Sequence, residues 1–240
     1  MISKGLFILF SFLSIISYAQ EVRVTDITFH PNKAINPDSF DYIDKQYKLQ
    51  EYMYIATLKG VITNSGKSIL SNLFNTFWQK ANELGANSFR IEDVKNDNDT
   101  ITIEISVYNL TDVQLDEMIK LYPTNMVYVI GDIDKSQTPK RIKFNNENIE
   151  LAPMEFIAHQ NEIGKDAILS IGGFLGAKVY IKGQDNRLPK HFSLSGFGVG
   201  PDRVNPGRYN EIAISFNTGR IYPVDLNFGQ FLIDVLKEKR

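Results

Sequence analysis

A helix is the clearest prediction from the pattern of apolar residues. Between Ser68 and Leu84, apolar side chains recur at spacings of three and four residues, which places them on one broad stripe of a helix. Gly85 follows, where a left-handed C-terminal cap is expected. We predict a helix over 68–84 that buries this stripe against a sheet. The stripe consists of Ile69, Leu70, Leu73, Phe74, Phe77, Trp78, Ala81 and Leu84.

Strands are predicted on both sides of this helix. Most of them alternate apolar with polar residues, and the polar run 95–99 between two of them indicates a hairpin. A second, short helix is capped by Thr111 or Asp112 and stops near Pro123. The order ββαββαβ predicts a mixed sheet with its helices on one side. The predicted strands are 22–29, 52–62, 88–92, 101–107 and 126–130, and the last is apolar enough to be covered on both faces.

The second half of the chain is predicted to be mainly strands. β-branched and aromatic runs are interrupted there by Asn, Gly and Pro, and Asn217-Thr218-Gly219 suits a hairpin turn. Apolar positions over 226–239 suit one face of a C-terminal helix. The runs that indicate strands lie within 141–144, 149–158 and 167–181, with a tight hairpin turn at the glycines of 172–176, and a further strand covers 212–216 before another resumes at 221.

The predicted fold class is α+β, in two domains. Residues 20–132 form the mixed-sheet domain, and the polar segment 133–140 is a linker. Residues 141–240 form a mainly β sandwich or barrel with a possible closing helix.

The N-terminus predicts export. Lys4 supplies a positive charge, an apolar run follows to Ile16, and small residues occupy Ser17 and Ala19. This is the pattern of a cleavable signal peptide over 1–19, with cleavage between Ala19 and Gln20. The alternatives are an uncleaved membrane anchor or a buried N-terminal strand, but the run is short for a bilayer span. We expect a periplasmic or secreted protein without a stable membrane span after cleavage.

Composition narrows the classes of partner. The chain has 26 basic and 28 acidic residues and no cysteine. Without cysteine there is no disulfide, so an exported chain depends on its core for stability. Phosphate binding needs a concentrated positive face, and no basic run is interleaved with aromatic residues. We therefore expect no nucleic-acid partner.

Two glycine-rich segments resemble nucleotide loops without meeting their requirements. Gly66-Lys67-Ser68 opens the long helix, but a phosphate loop needs glycine at position 61, which is Val61. The glycines of 196–200 are followed by Pro201 and polar residues instead of a helix. The sequence predicts no bound nucleotide and no other cofactor.

Metal ligands are few. His30, His159 and His191 are far apart in the chain and none stands in a metal-binding motif. The acidic residues of the 93–99 turn lack the spacing of a calcium loop. We expect no metal site.

One segment suggests catalysis. Asp41 and Asp44 lie in an aromatic loop, 40–54, and glycoside hydrolysis uses two carboxyl groups across a sugar. The aromatic residues of the loop would then be sugar platforms. The competing interpretation is that they pack at the start of a strand.

Residues Lys80-Ala81-Asn82-Glu83-Leu84-Gly85-Ala86-Asn87 close the long helix and enter a strand. Within 66–107, this junction resembles small bacterial envelope proteins of the YbjQ type and of the Rcs stress-sensor lipoprotein type. The resemblance implies a related local fold and an envelope location. It implies no activity, and the lipidated cysteine and the disulfides of the stress sensor are absent from this chain.

The sequence thus favours an exported, non-catalytic protein that binds another protein or an envelope polymer. The alternative is a carbohydrate-active hydrolase that uses acidic residues near 40–54. A third possibility is that the last hundred residues are a secretion-sorting module. A buried carboxylate pair in a cleft would favour the enzyme, whereas an apolar face or a free sheet edge would favour the binding protein.

Overall fold

The computed structural model describes residues 21–28, 38–50, 53–63, 69–97, 100–172, 176–195 and 221–239. Some sequence predictions lie outside these residues: the signal peptide 1–19, its cleavage between Ala19 and Gln20, His30, Gly66-Lys67-Ser68, Asp99, the glycines of 196–200, the strand 212–216 and the hairpin turn 217–219.

The described residues confirm an α+β protein. The strands are β1 (Glu21–Ile27), β2 (Asp41–Tyr42), β3 (Tyr54–Thr63), β4 (Ser88–Asp97), β5 (Thr100–Tyr108), β6 (Met126–Ile130), β7 (Lys140–Phe144), β8 (Glu147–Leu151), β9 (Glu155–Gln160), β10 (Asp166–Ile171), β11 (Ala177–Lys182), β12 (Lys190–Ser193), β13 (Tyr222–Val224) and β14 (Lys237–Glu238). The helices are α1 (Ile69–Glu83), α2 (Asp112–Ile119) and α3 (Leu226–Val235).

Helix α1 ends in the cap that the sequence predicts. Gly85 has φ 83°, which is the left-handed region. The Gly85 amide donates to the Asn82 carbonyl at 3.0 Å, and the Ala86 amide donates to the Ala81 carbonyl at 2.8 Å. These are the two bonds of a Schellman motif, which satisfy the last carbonyls of the helix.

Sheet one has the strand order β1-β3-β5-β4-β2 and is antiparallel except for the β2–β4 pair. Helix α1 packs closely on one face of it. A side chain on Gly60 of β3 would place its Cβ only 2.5 Å from Leu73 Cδ1 and 2.7 Å from Phe77 Cζ. The missing side chain therefore permits the close approach of helix and strand.

Two further sheets come from the second half of the chain and from β6. Sheet two has the order β11-β10-β7-β8, and sheet three has the order β13-β12-β6-β9-β14. The two sheets share an apolar cluster that includes Val129, Phe144, Leu169 and Phe192. Strand β6 is buried on both faces, because Val127 and Val129 belong to this cluster while Tyr128 and Ile130 belong to the core around α1.

The pairing of strands crosses the predicted linker, 133–140. Strand β6 precedes this segment and pairs with β9 and β12, which follow it. The start of the segment is buried at Ile133 and Asp134. Asp134 Oδ1 accepts hydrogen bonds from the amide and the hydroxyl of Ser136, at 2.9 and 2.7 Å. The division into two domains at this segment stays a prediction for unfolding experiments.

Helix α3 links the two halves of the chain. Asp225 caps its N-terminus by accepting from the amides of Asn227 and Phe228, at 2.9 and 3.1 Å. Its Phe231 ring lies 5.2 Å from Phe74 of α1 and 6.3 Å from Phe89 of β4. The C-terminal helix that the sequence assigns to the β-rich half therefore packs on the first sheet and its helix.

Candidate functional site

Asp41 and Asp44, the two carboxylates proposed as catalytic in the 40–54 loop, form hydrogen bonds within the chain's own structure. Asp41 is buried and accepts from Asn227 Nδ2 at 3.1 Å and from the Ser39 hydroxyl. Asp44 Oδ1 accepts from the Gln46 amide at 2.7 Å, which closes a local turn. These contacts give the two residues structural roles.

Two aromatic residues of the same loop belong to the core. Phe40 is buried and stacks on Phe89 with 4.5 Å between ring centroids. Tyr42 is also buried, and its hydroxyl donates to Asp234 at 2.8 Å. Burial, and then the charge of Asp234, raises the pKa of Tyr42 well above its usual value. Neither ring is presented to solvent as a sugar platform would be.

The histidines and aspartates considered as metal ligands lie in different environments. His159 Nε2 is 3.2 Å from Asn145 Nδ2, and His191 is buried beneath α3. Asp93 on β4 forms an ion pair with Lys95 at 3.1 Å. Among the described residues, no group of three or more His, Asp or Glu side chains is arranged to hold a metal ion.

The 80–87 junction, which carries the family resemblance, has a structural explanation. Asn87 is fully buried, and its Nδ2 donates to the Leu110 carbonyl at 2.8 Å while its Oδ1 accepts from the Leu110 amide at 2.9 Å. Through this pair of bonds, the side chain fixes the connection between β5 and α2. The motif thus caps α1 at Gly85 and anchors a loop at Asn87.

The candidate binding site is the outer edge of β1. This strand is last in sheet one and pairs with β3 from Glu21 opposite Val61 to Ile27 opposite Ala56. In the part of the chain that the structure describes, no strand pairs with its other edge. Backbone N–H and C=O groups on such an edge are able to pair with another chain.

Apolar side chains line one side of this edge. Val22, Val24 and Ile27 lie opposite Gly60, Leu58 and Ala56 of β3 and so point to the helix-bearing side of the sheet. Val22 is half-buried against the core. Val24 is 43% exposed and Ile27 is 41% exposed, so the two place apolar surface in contact with water. Together, Val24, Ile27 and the backbone edge of β1 that faces away from β3 form what we call the β1 edge.

Polar residues occupy the other side of β1. Arg23 and Glu21 form an exposed ion pair at 2.5 Å, and this hydrogen bond lowers the pKa of Glu21. Asp26 Oδ2 accepts from the Tyr54 hydroxyl at 2.9 Å, and its Oδ1 accepts from the Ile27 amide at 2.9 Å. A β-bulge interrupts the register between Val24 and Asp26. The charges on this side are mixed and favour neither sign of partner.

The sequence predicted a strand here but not its exposed edge. An alternating pattern indicates that a strand has one apolar side, but it does not say which strands lie beside it. The pairing order of sheet one depends on contacts between distant residues, and no local signal in 21–27 contains it.

None of the described helices is long and apolar enough to cross a membrane.

Comparison with known proteins finds no matching family model and no matching curated protein. Among solved structures, the chain is similar to a Francisella virulence factor, FvfA, in its orthorhombic crystal form. The TM-score is 0.26 and the identity is 12%, over 38% of this chain and 100% of that chain. A similarity of this size carries no argument about fold or function.

Proposed function

We propose that this protein is an exported, non-catalytic envelope or secreted protein that binds another protein by strand addition at the β1 edge. The observation that supports this proposal is the exposure of Val24 and Ile27 beside an edge of sheet one with which no described strand pairs. In strand addition, main-chain hydrogen bonds give affinity, and pockets for alternate side chains give specificity.

The chemistry of the β1 edge defines the partner. An added strand would extend sheet one and present every second side chain to the side that carries Val24 and Ile27. Apolar residues at those alternate positions would cover both side chains and remove them from water. The expected partner segment is therefore extended, about 5–7 residues long, and apolar at alternate positions.

Export would place this edge at the start of the mature chain. Cleavage between Ala19 and Gln20 leaves one residue before β1, which begins at Glu21. The hydrophobic signal segment would then no longer adjoin the edge strand. N-terminal sequencing of exported protein should give Gln20, and an intact Met1 would overturn the signal-peptide proposal.

We also propose the finer architecture that the sequence predicts. The order ββαββαβ for the first half is supported by α1 and α2 alternating with β1, β3, β4, β5 and β6, with β2 as an addition. The predicted single mixed sheet is corrected in one respect, because β6 belongs to sheet three and not to sheet one. The sandwich for the second half is supported by the apolar cluster that sheets two and three share. The YbjQ-type and Rcs-type resemblance remains a proposal about local fold at 80–87.

A charge-substituted β1 edge tests the proposed function. Three tagged mature proteins would be compared: wild type, the double variant Val24→Lys/Ile27→Lys and the control Ile163→Lys. For each, the measurement is which envelope proteins it retains in a pull-down. Ile163 is a suitable control because it is 65% exposed and lies in the turn between β9 and β10, outside sheet one. We expect wild type and Ile163→Lys to retain the same proteins and the double variant to lose them, with all three equally folded by circular dichroism.

Two results would contradict the proposal. Equal retention by all three proteins would place binding elsewhere, and no specific retention by wild type would overturn a protein-binding function. Hydrogen exchange distinguishes strand addition from side-chain contact, because only strand addition protects the β1 amides in the complex.

The hydrolase alternative has a direct test of its own. Release of reducing sugar from envelope polysaccharide by wild type, and its loss in Asp41→Asn and Asp44→Asn, would support it. The contacts of Asp41 with Ser39 and Asn227 and of Asp44 with Gln46 favour structural roles instead.

A further inference from the structure

A second surface with distinct chemistry lies on the outward face of sheet two. Lys143 of β7 and Lys178 of β11 are both exposed and both lie opposite Ser170 of β10, so the three residues form one row across the sheet. Adjacent strands are about 4.8 Å apart, so the two lysine Cα atoms are about 10 Å apart.

These two lysines differ from the other basic residues of that face. Arg141 forms an ion pair with Glu150 at 3.0 Å, and Lys182 lies opposite Asp166. Lys143 lies opposite Asn148, and within the described ranges neither Lys143 nor Lys178 forms an ion pair. The row thus holds two positive charges without an ion-pair partner among the described residues, on a chain whose net charge is −2.

An aromatic ring borders the row. Tyr180 is 58% exposed, and the Lys178 ammonium lies 4.9 Å from its ring centroid. Ile168, half-buried, is the cross-strand neighbour of Tyr180. The surface therefore combines positive charge with a flat, partly apolar patch, and an aromatic ring of this kind is able to pack on the C–H face of a sugar ring.

We propose that this face binds an acidic polysaccharide. Its carboxylate or sulfate groups contact Lys143 and Lys178, and one sugar ring packs against Tyr180. A polymer with repeated charges is able to contact both lysines and also to place a sugar ring on Tyr180, whereas a small inorganic anion offers no such ring. This site is on a different sheet from the β1 edge and does not depend on the protein-binding proposal.

The test measures binding of labelled polygalacturonate and dextran sulfate by fluorescence anisotropy at several salt concentrations, with neutral dextran as the uncharged probe. We expect wild type to bind both acidic polymers and not neutral dextran. Lys143→Ala/Lys178→Ala should weaken binding at least about tenfold and make it less salt-dependent, because fewer counterions are exchanged. Tyr180→Ala should weaken binding without changing the salt dependence.

The matched control is Lys59→Ala/Lys120→Ala, which removes the same charge from exposed positions outside sheet two. It should bind like wild type. An equal loss in this control would show that only overall charge matters, and unchanged binding by Lys143→Ala/Lys178→Ala would overturn the site. Tighter binding of a DNA oligonucleotide or of anionic phospholipid vesicles than of either polysaccharide would overturn the class of ligand.

Discussion

The imidazole of His191 lies parallel to the phenol ring of Tyr128, with 5.0 Å between ring centroids and 8° between ring planes. The two residues are cross-strand neighbours in β12 and β6. Gly229 of α3 covers the imidazole so closely that a Cβ there would lie 2.3 Å from His191 Cγ. His191 is fully buried, and neither ring nitrogen has a hydrogen-bond partner among the described residues.

This burial predicts a pH-dependent stability. Burial, with a smaller effect of Lys190, lowers the pKa of His191 from 6.5 to about 3. Between these values the unfolded state binds the proton and the folded state does not, so stability falls as pH decreases from about 6.5. The unfolding constant should rise by up to about tenfold per pH unit, and His191 should contribute no pH dependence above that range.

Asp225, the N-cap residue of α3, affects the pH dependence of stability in the opposite direction. Burial raises the pKa of Asp225 above its usual 3.8, so the folded state binds that proton first and Asp225 alone would increase stability as pH falls through this range. Urea unfolding of wild type and of His191→Phe, measured from pH 7.5 to 4.5, separates the effect of His191 on stability from that of Asp225. In His191→Phe, the free energy of unfolding should no longer decrease below pH 6.5. In the control His159→Phe, that decrease should remain. An identical slope in wild type and His191→Phe would contradict the assignment.

Replacement of Gly229 by alanine should destabilise the protein, although the same replacement usually stabilises a helix. Glycine to alanine inside a helix normally stabilises by about 0.5–1 kcal/mol. At Gly229 the new Cβ would overlap the imidazole, and overpacking costs about 1–3 kcal/mol. Gly229→Ala should therefore lower the free energy of unfolding in wild type, yet raise it in a His191→Ala background. The same sign in both backgrounds would argue against the contact.

Loss of the Phe77 ring should be costly. Phe77 is fully buried, and its ring centroid is 6.5 Å from that of Phe231 on α3. Phe77→Ala should lower the free energy of unfolding by about 3–5 kcal/mol. Val113→Ala is the control, because Val113 is 67% exposed and surface substitutions change stability by about 0.5 kcal/mol or less. A Phe77→Ala melt like that of wild type would refute the predicted helix face.

Calorimetry tests the predicted division at 133–140. The sequence predicts that proteases cut first between Ile133 and Lys140 and that the halves are separate domains. The packing of Phe231 on Phe74 and the pairing of β6 with β9 lead us to expect one cooperative transition. Two transitions, or a stable fragment ending near 132, would instead support separate domains.

The sequence predicts an element correctly where a pattern of neighbouring residues alone determines whether it is a helix or a strand. The stripe of α1 needs only spacings of three and four, and the alternation in β4 and β5 needs only neighbouring residues. The prediction that β6 is covered on both faces was also local, since its five residues are nearly all apolar. Strands β2, β12 and β14 have two to four residues and show no period to detect.

The candidate site depends on contacts that no local pattern contains. The exposure of Val24 and Ile27 follows from the place of β1 in the sheet order, and the role of Asn87 follows from its bonds to Leu110, 23 residues away. The apolar positions of α3 predicted a buried face but not the first-half residues that cover it. His191 gave no sequence signal, because its burial depends on Gly229, a distant residue of α3.

Site-specific photocrosslinking tests the central claim, that the β1 edge binds a protein, most directly. A photoreactive residue would replace Val24 in one exported protein and Ile163 in another, and intact cells would be irradiated. We predict a discrete protein adduct from position 24, its loss when Ile27→Lys is added, and no such adduct from position 163. The same adduct from both positions, or no adduct from position 24, would contradict the claim.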